Sequence, residues 1–302
     1  MAKKTTTQDL TKGSPMKLIL GFAVPLVFGL LFQQLYNMAD TMIVGQTLGE
    51  DALAAVGATG SINFLIVGFC NGLCAGFVIP VAQQFGAGDE RALRRYAANA
   101  IWLSAAFSVV VTAAVALLCR PILRLMQTPE NIFEDSYRYI LAIFIGIPAT
   151  VFYNLLAGFI RSLGDSKTPV LILTGAALLN IGLDLLFILQ FGWGVAGAAW
   201  ATVLSQLLSG VACLVFILVR MPVLHLSRQE LRPDRATMRL LCGMGLPMGL
   251  QYSITAIGSV VLQTSVNTLG SMAVAAVATT SKISQFFVCP FDALGSTMAT
   301  YG

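Results

Sequence analysis

Along this chain apolar residues gather in long runs, and polar residues are confined to short gaps between them. Eight runs lie near residues 17–46, 52–84, 91–118, 134–162, 168–190, 194–220, 238–266 and 272–302. The gaps carry turn chemistry: Gly49-Glu50-Asp51, Gly86-Ala87-Gly88-Asp89, Arg120-Pro121, Gly164-Asp165 and Gly192-Trp193-Gly194. Runs of about twenty residues or more, without alternation of period two, predict membrane-spanning helices rather than barrel strands. The expected fold class is an all-α polytopic membrane protein.

Composition narrows the picture further. Of 302 residues, 57% are hydrophobic and 11% charged, with a mean hydropathy of +0.80. Soluble domains carry about 25% charge. A disordered chain, a nucleic-acid binder and a disulfide-stapled module are excluded together. The six cysteines (Cys70, Cys74, Cys119, Cys213, Cys242, Cys289) are scattered through apolar stretches and read as small hydrophobes. His225 stands in a basic gap and reads as surface. The N-terminal lysines precede an apolar run with no small-residue cleavage site, so the first run is expected to stay as a span.

The placement of charge sets an expected orientation. With the N-terminus inside, the cytoplasmic gaps hold Lys3, Lys4, Lys12, Lys17, Arg91, Arg94, Arg95, Arg161, Lys167, Arg220, Arg228, Arg232, Arg235 and Arg239, fourteen of eighteen Lys and Arg. The outer gaps hold only Arg120, Arg124 and Arg138, and Lys282 falls within the last run. Such a bias predicts a multi-pass protein of the plasma membrane with a cytoplasmic N-terminus.

The chain also repeats itself. Gly21-Phe22-Ala23-Val24-Pro25 returns as Gly243-Met244-Gly245-Leu246-Pro247, at an offset of 222. Leu48-Gly49-Glu50-Asp51-Ala52-Leu53-Ala54-Ala55-Val56 returns as Leu269-Gly270-Ser271-Met272-Ala273-Val274-Ala275-Ala276-Val277, at an offset of 221. The seventh span therefore restarts the first, giving parallel six-helix repeats of a kind that transporters use. The expected organisation is a six-helix N-terminal lobe (1–220), a cytoplasmic linker (221–237) and the first two helices of an incomplete second lobe (238–302). On this reading the chain is a C-terminally truncated piece of a transporter with about twelve spans of ~20 residues each.

Few acids enter the spans: Asp40, Asp184 and Asp292. A carboxylate near the bilayer centre costs at least ~2.5–3.5 kcal/mol on insertion scales, and such groups usually mark function. At ~1.5 Å per residue, Asp40 and Asp184 each lie about 9 Å below the outer end of their spans. Asn180 falls one turn below Asp184 on the same face, while Ala198 and Thr202 enter the same layer from the sixth span. Two carboxylates, an amide and a hydroxyl suit a proton or a hard cation, since oxygen ligands prefer hard ions and no thiolate set is present. The second repeat places Val261 or Leu262 opposite Asp40, so this chemistry belongs to the first lobe.

Softer polar signals come from Gln33, Gln34, Tyr36, Asn37, Tyr139, Asn154 and Gln206, which are candidates for a cavity lining or for helix–helix contacts. Gly72-Leu73-Cys74-Ala75-Gly76 predicts a close helix approach. Pro25 predicts a kink or hinge in the first span.

Together, Pro25 with Asp40, the Gln83-Gln84-Phe85-Gly86-Ala87-Gly88 exit, and Asn154 to Gly164 running into Lys167-Thr168-Pro169 form a recognisable pattern. Asn180-Ile181-Gly182-Leu183-Asp184 and Gly194-Val195-Ala196-Gly197-Ala198-Ala199 followed by Thr202 complete it. The pattern resembles the multidrug and toxic compound extrusion (MATE) family of cation-coupled efflux transporters, over essentially the whole chain. The resemblance implies the MATE/MOP-type fold and, in the DinF-like branch, a proton or Na+ site at Asp40, Asn180, Asp184 and Thr202 with the Ala198 backbone. It implies a substrate cavity, to which Gln34, Tyr36, Asn37, Tyr139, Asn154 and Gln206 are assigned. The NorM-like branch carries a Glu eight residues after the seventh-span proline, where this chain has Thr255.

The resemblance implies antiport of lipophilic, often cationic drugs by rocking of two lobes, driven by H+ or Na+ and without any other cofactor. The expected partners are small-molecule drugs and the lipid bilayer, not nucleic acid, and the full-length protein is expected to be a monomer. A lipid-linked oligosaccharide flippase of the same superfamily is the rival, as is a non-transporting receptor or scaffold. A flippase would present several Arg to a pyrophosphate inside the membrane. No HExxH, GxSxG or Walker A pattern is present, and no enzyme activity is expected.

Overall fold

The computed structural model describes residues 15–227, 230–267 and 271–301; of residues 15, 17, 18, 36, 263, 264, 267, 271–276, 278, 279, 281–283 and 299–301 it describes the backbone only. Lys3, Lys4, Lys12, Arg228, Leu269 and Gly270, which entered the charge and repeat arguments, lie outside the described residues. The protein is all helical, and no strand occurs among the described residues.

The helices are α1 (Pro15–Leu48), α2 (Glu50–Ala87), α3 (Glu90–Leu125), α4 (Glu130–Ile145), α5 (Ile147–Ser162), α6 (Lys167–Leu185, extended by a π-helical turn Leu186–Gln190), α7 (Val195–Arg220), α8 (Arg235–Asn267) and α9 (Ser271–Tyr301). Six of them are long and apolar enough to cross a membrane, and the bent pair α4–α5 makes a seventh. The eighth expected run is helical too, as α9. Large apolar side chains face outward all round the bundle, with Leu117 82% and Leu125 83% exposed. In water such a surface would aggregate; in a bilayer it is solvated by acyl chains.

Two boundaries differ from the sequence reading. Arg120-Pro121 is not a turn, because α3 runs through Pro121 and ends at Leu125. The stop lies at Gln127, which takes φ +54°. Gln127 N–H donates to the Arg124 carbonyl and Thr128 N–H to that of Leu123, so the last carbonyls are satisfied before Pro129 bars continuation. The fourth expected span, 134–162, is not one helix. It bends by 44° between α4 and α5, at Gly146. Pro148, two residues on, has no N–H to donate, which leaves the α4 ladder open at that point.

At the end of the bundle that holds the α7–α8 connection, two Gly-Asp pairs end one helix and begin the next. Gly88 (φ +74°) and Gly164 (φ +86°) take the left-handed conformation that closes α2 and α5, at no Cβ cost. Asp89 then caps α3 by accepting from Ala92 N–H at 2.9 Å, and Asp165 caps α6 through Lys167 N–H, Thr168 N–H and the Thr168 hydroxyl.

The centre of the bundle is α2, flanked by α3, α4, α5 and α8. Its most extensive pairing is with α8, and the two backbones touch. A Cβ on Gly76 would lie 2.5 Å from Gly245 Cα, and one on Gly72 would lie 2.6 Å from the Met248 carbonyl oxygen. The Gly72/Gly76 spacing of α2 thus meets a matching Gly245/Gly249 spacing on α8, with Phe77 and Phe69 covering those two glycines.

The segment joining α7 to α8 is strapped onto α3. Arg94 Nε donates to Glu230 at 2.8 Å, Trp102 Nε1 to the Leu231 carbonyl at 3.0 Å, and Asp234 N–H to the fully buried Asn99 at 2.8 Å. Asp234 in turn caps α8 by accepting from the Thr237 backbone and hydroxyl. Burial works against the charge of Glu230, but Ser227 N–H and Arg94 outweigh it and hold the carboxyl below its ordinary range. The Thr237 hydrogen bonds hold Asp234 low as well.

Two outcomes are expected. Gly76→Ala destabilises by about 1–3 kcal/mol, because backbone atoms of α8 cannot yield, whereas Gly60→Ala meets open space and is neutral or stabilising; unfolding midpoints in detergent compare the two. A carboxyl held low stabilises at pH above its unfolded value, and that contribution disappears as pH falls through the folded value. The midpoint difference between the parent and Asp234→Asn is therefore constant from about pH 5 to about pH 8 and shrinks below about pH 4.

Candidate functional site

Helices α1, α6 and α7 pack as a group, with α1 against α2 and α7 against α4 and α5. Each brings polar side chains to one layer, close to the end of the bundle opposite the strap. On α6, Asn180 and Asp184 are one turn apart and both fully buried. On α1, Asp40 reaches Asp184, and the two carboxyls lie close enough to share a hydrogen bond. On α7, Thr202 faces Asn180.

Asn180 is the clasp of this layer. With its amide turned to satisfy both ends, it donates to Asp184 Oδ2 at 3.2 Å and accepts from Thr202 N–H at 3.2 Å. That N–H is the one an α-helix directs at the carbonyl of residue 198, four positions back. Ala198, itself buried, lies one turn before Thr202 on α7. The chemistry follows from valence. Two facing carboxyls share a hydrogen bond only when a proton lies between them, and without it their like charges need a cation. The oxygens of Asp40, Asp184 and Thr202 are hard ligands, suited to a proton or to an ion such as Na+, while Asn180, its oxygen turned to Thr202 N–H, serves Asp184 as a donor.

Local backbone features hold the layer in place. Directly after Asp184, α6 widens into its π-helical turn, a form that recurs at functional sites. Phe187 of that turn and Phe191 just after it cluster with Trp193, with ring centroids 4.9–5.9 Å apart. Gly197 of α7 fits beneath, since a Cβ there would lie 3.2 Å from Phe187 Cβ. On the far side of α7, the Gly146 bend receives Val203, whose methyls fill the space a Cβ would take. The break in the fourth span thus seats the residue next to Thr202. The sequence signal for it is Gly146-Ile147-Pro148, which the run-length reading passed over.

The remaining cavity candidates do not gather in this layer. Asn37 donates to Gln34 at 3.0 Å on the exposed side of α1. Tyr139 is buried in the α4 core, and Asn154 donates to the Thr150 carbonyl within α5. The Tyr36 side chain lies outside the description. Gln206 lies on α7 one turn beyond Thr202. Pro25 lies inside α1, which is helical on both sides of it.

Known proteins resemble this one throughout. A family model described as MatE matches residues 25–186. The probable multidrug resistance proteins YoeA and YpnP of Bacillus subtilis are each 30% identical, over 98% and 95% of this chain. The chain spans 65% and 64% of their lengths. Among solved structures, a MOP superfamily transporter from Pyrococcus furiosus superposes with a TM-score of 0.89 at 27% identity, covering 100% of this chain and 66% of that one. The outward-facing conformation of a multidrug resistance MATE family transporter also reaches 0.89, at 26% identity, with 100% and 66% covered.

Removing the clasp tests the geometry. Asn180→Leu leaves Asp184 buried without its amide donor and is expected to destabilise by about 1–3 kcal/mol, read as a lower unfolding midpoint in detergent. Thr202→Val, which keeps the backbone N–H, is expected to cost less.

Proposed function

Because the chain belongs to the MatE family, we propose that it serves in the export of lipophilic and cationic drugs across the plasma membrane, in exchange for H+ or Na+. The observation that carries this reading is the Asp40–Asp184 pair, in which Asp184 is fully buried and clasped by Asn180 and Asp40 is half-buried beside it. A purely structural bundle gains nothing from two carboxyls at one depth, since an apolar pair of the same size would cost less. A transporter needs such a pair, because it is stable in two states of charge and can be loaded from one side and emptied on the other. The names of the Bacillus subtilis relatives, both probable multidrug resistance proteins, support drugs as the cargo.

In this proposal the N-terminus faces the cytoplasm, and residues 1–220 and the part beginning at 238 move as two lobes in alternating access. Cation binding between Asp40 and Asp184 draws α1 towards α6. Release lets the carboxyls part, and α1 passes that change to the cavity between the lobes. Pro25, inside α1, supplies the hinge, because its missing N–H leaves a carbonyl unbonded one turn earlier. No enzymatic step is required.

The test uses the full-length protein in cells under imposed proton or sodium gradients, with ethidium as the exported probe. Asp40→Asn and Asp184→Asn are each expected to reduce gradient-driven export at least about tenfold, a barrier change near 1.4 kcal/mol, while membrane insertion is unchanged. Full export by both variants would overturn the proposal. Whichever gradient drives the parent protein identifies the ion.

A further inference from the structure

Below the carboxyl pair, on the side towards the strap, one polar atom has no role in the layer described so far. Ala198, Thr202 and Gln206 follow each other at four-residue spacing and form one stripe on α7. The side-chain oxygen of Gln206 is buried and accepts no hydrogen bond. The antiparallel register that sets Asn180 opposite Thr202 sets Ala176 opposite Gln206, and α6 carries Gly175-Ala176-Ala177 there. Small apolar residues at that level supply no donor and fill little space. The partner of a buried carbonyl oxygen must be a donor or a cation, so its chemistry is the same as that of the coupling ion two turns above Ala176 on α6.

We propose that the Gln206 side-chain oxygen is the next ligand of the coupling cation, receiving a hydronium or sodium ion as it leaves the Asp40–Asp184 pair towards the strap end. The assignment rests on the exchange reading above and extends it by one residue. Gln206 then acts as a way station: a neutral oxygen holds a cation weakly enough to pass it on, where a third carboxylate would trap it. The stripe explains the order of groups. Asp40 and Asp184 hold the ion first, the Thr202 hydroxyl bridges the turn, and Gln206 takes it at the next level down.

The experiment measures ethidium export by the full-length protein in proteoliposomes, at stepped concentrations of the driving ion, with separate sodium and proton arms. Gln206→Met keeps length and volume but removes the oxygen. It is expected to raise the half-saturating ion concentration about fivefold, the loss of one hydrogen-bond-sized interaction, with the KM for ethidium at saturating ion unchanged. Gln206→Glu keeps an oxygen in place and adds charge, so it is expected to lower the half-saturating concentration and to slow turnover. The arm in which the shift appears tells hydronium from sodium. An unchanged ion dependence in both variants overturns the proposal, as does a changed KM for ethidium at fixed ion dependence, which would assign Gln206 to the drug. Asp184→Asn run in parallel separates the two readings. If it abolishes export while both Gln206 variants keep the parental ion dependence, only the Gln206 assignment fails; if it exports fully, the exchange reading fails.

Discussion

Two carboxyl groups held against each other inside a helix bundle constrain the rest of this structure. Asp184 has left water and Asp40 has partly done so, and their charges repel unless a proton or cation is shared between them. The surrounding fold answers that demand with oriented groups. Asn180 donates to one oxygen of Asp184, and its own oxygen is occupied by the Thr202 backbone. Thr202 is fixed because its neighbour Val203 fills the Gly146 bend, and Ala198 because Gly197 lies under Phe187. None of these side chains is unusual alone. Their joint geometry leaves the carboxyl pair a narrow set of positions, and so makes its charge state matter to α1, α6 and α7 together.

The opposite end of the bundle is built on a different principle. There α2 and α8 meet backbone to backbone through glycines, and the α7–α8 segment is tied to α3 by three of its residues, each satisfying a specific partner: Arg94 with Glu230, Trp102 with Leu231 and Asn99 with Asp234. Glycine contacts gain their strength from close van der Waals approach and tolerate no added atom. The strap adds direction, because Asn99 is fully buried and accepts the very N–H that precedes the α8 cap. An exposed ion pair such as Arg138–Glu134, at the other end, contributes little by comparison. Rigidity is thus concentrated where α8 enters the bundle.

The helical runs were legible in the sequence because a spanning segment must satisfy its backbone internally in lipid, and that rule writes itself as run length; the fourth run, broken at Gly146 into α4 and α5, was the exception. Asp40, Asn180, Asp184 and Thr202 were legible as a layer for a similar reason, since depth follows from counting residues along straight helices. What counting leaves open is contact. Gly72 and Gly76 announced a close approach but not that Gly245 and Gly249 would meet them. Pro121 read as a stop, whereas the helix ends where Gln127 turns left-handed and satisfies the last carbonyls. The strap was invisible, because Glu230 and Asp234 are ordinary polar residues of a connection until Arg94 and Asn99 are placed beneath them.

These parts fit together through α1. It alone carries a member of the carboxyl pair while also packing against α2, α6, α7 and α9. Held at one end by the Asp40–Asp184 contact, it meets α6 again where Gly29 takes Val170, whose Cγ2 lies 2.6 Å from the place of an added Cβ. Between the N-terminus and that contact lies Pro25, where the ladder of hydrogen bonds is interrupted. A change of charge at Asp40 is therefore felt first by a helix that is pinned at Gly29 and compliant at Pro25. The α2–α8 seam and the strap are closed instead by backbone contact and by specific hydrogen bonds. Of the helices that pack on α1, α9 is the one that belongs neither to the carboxyl layer nor to the α2–α8 seam, so under the proposed exchange it is the element next in line to α1.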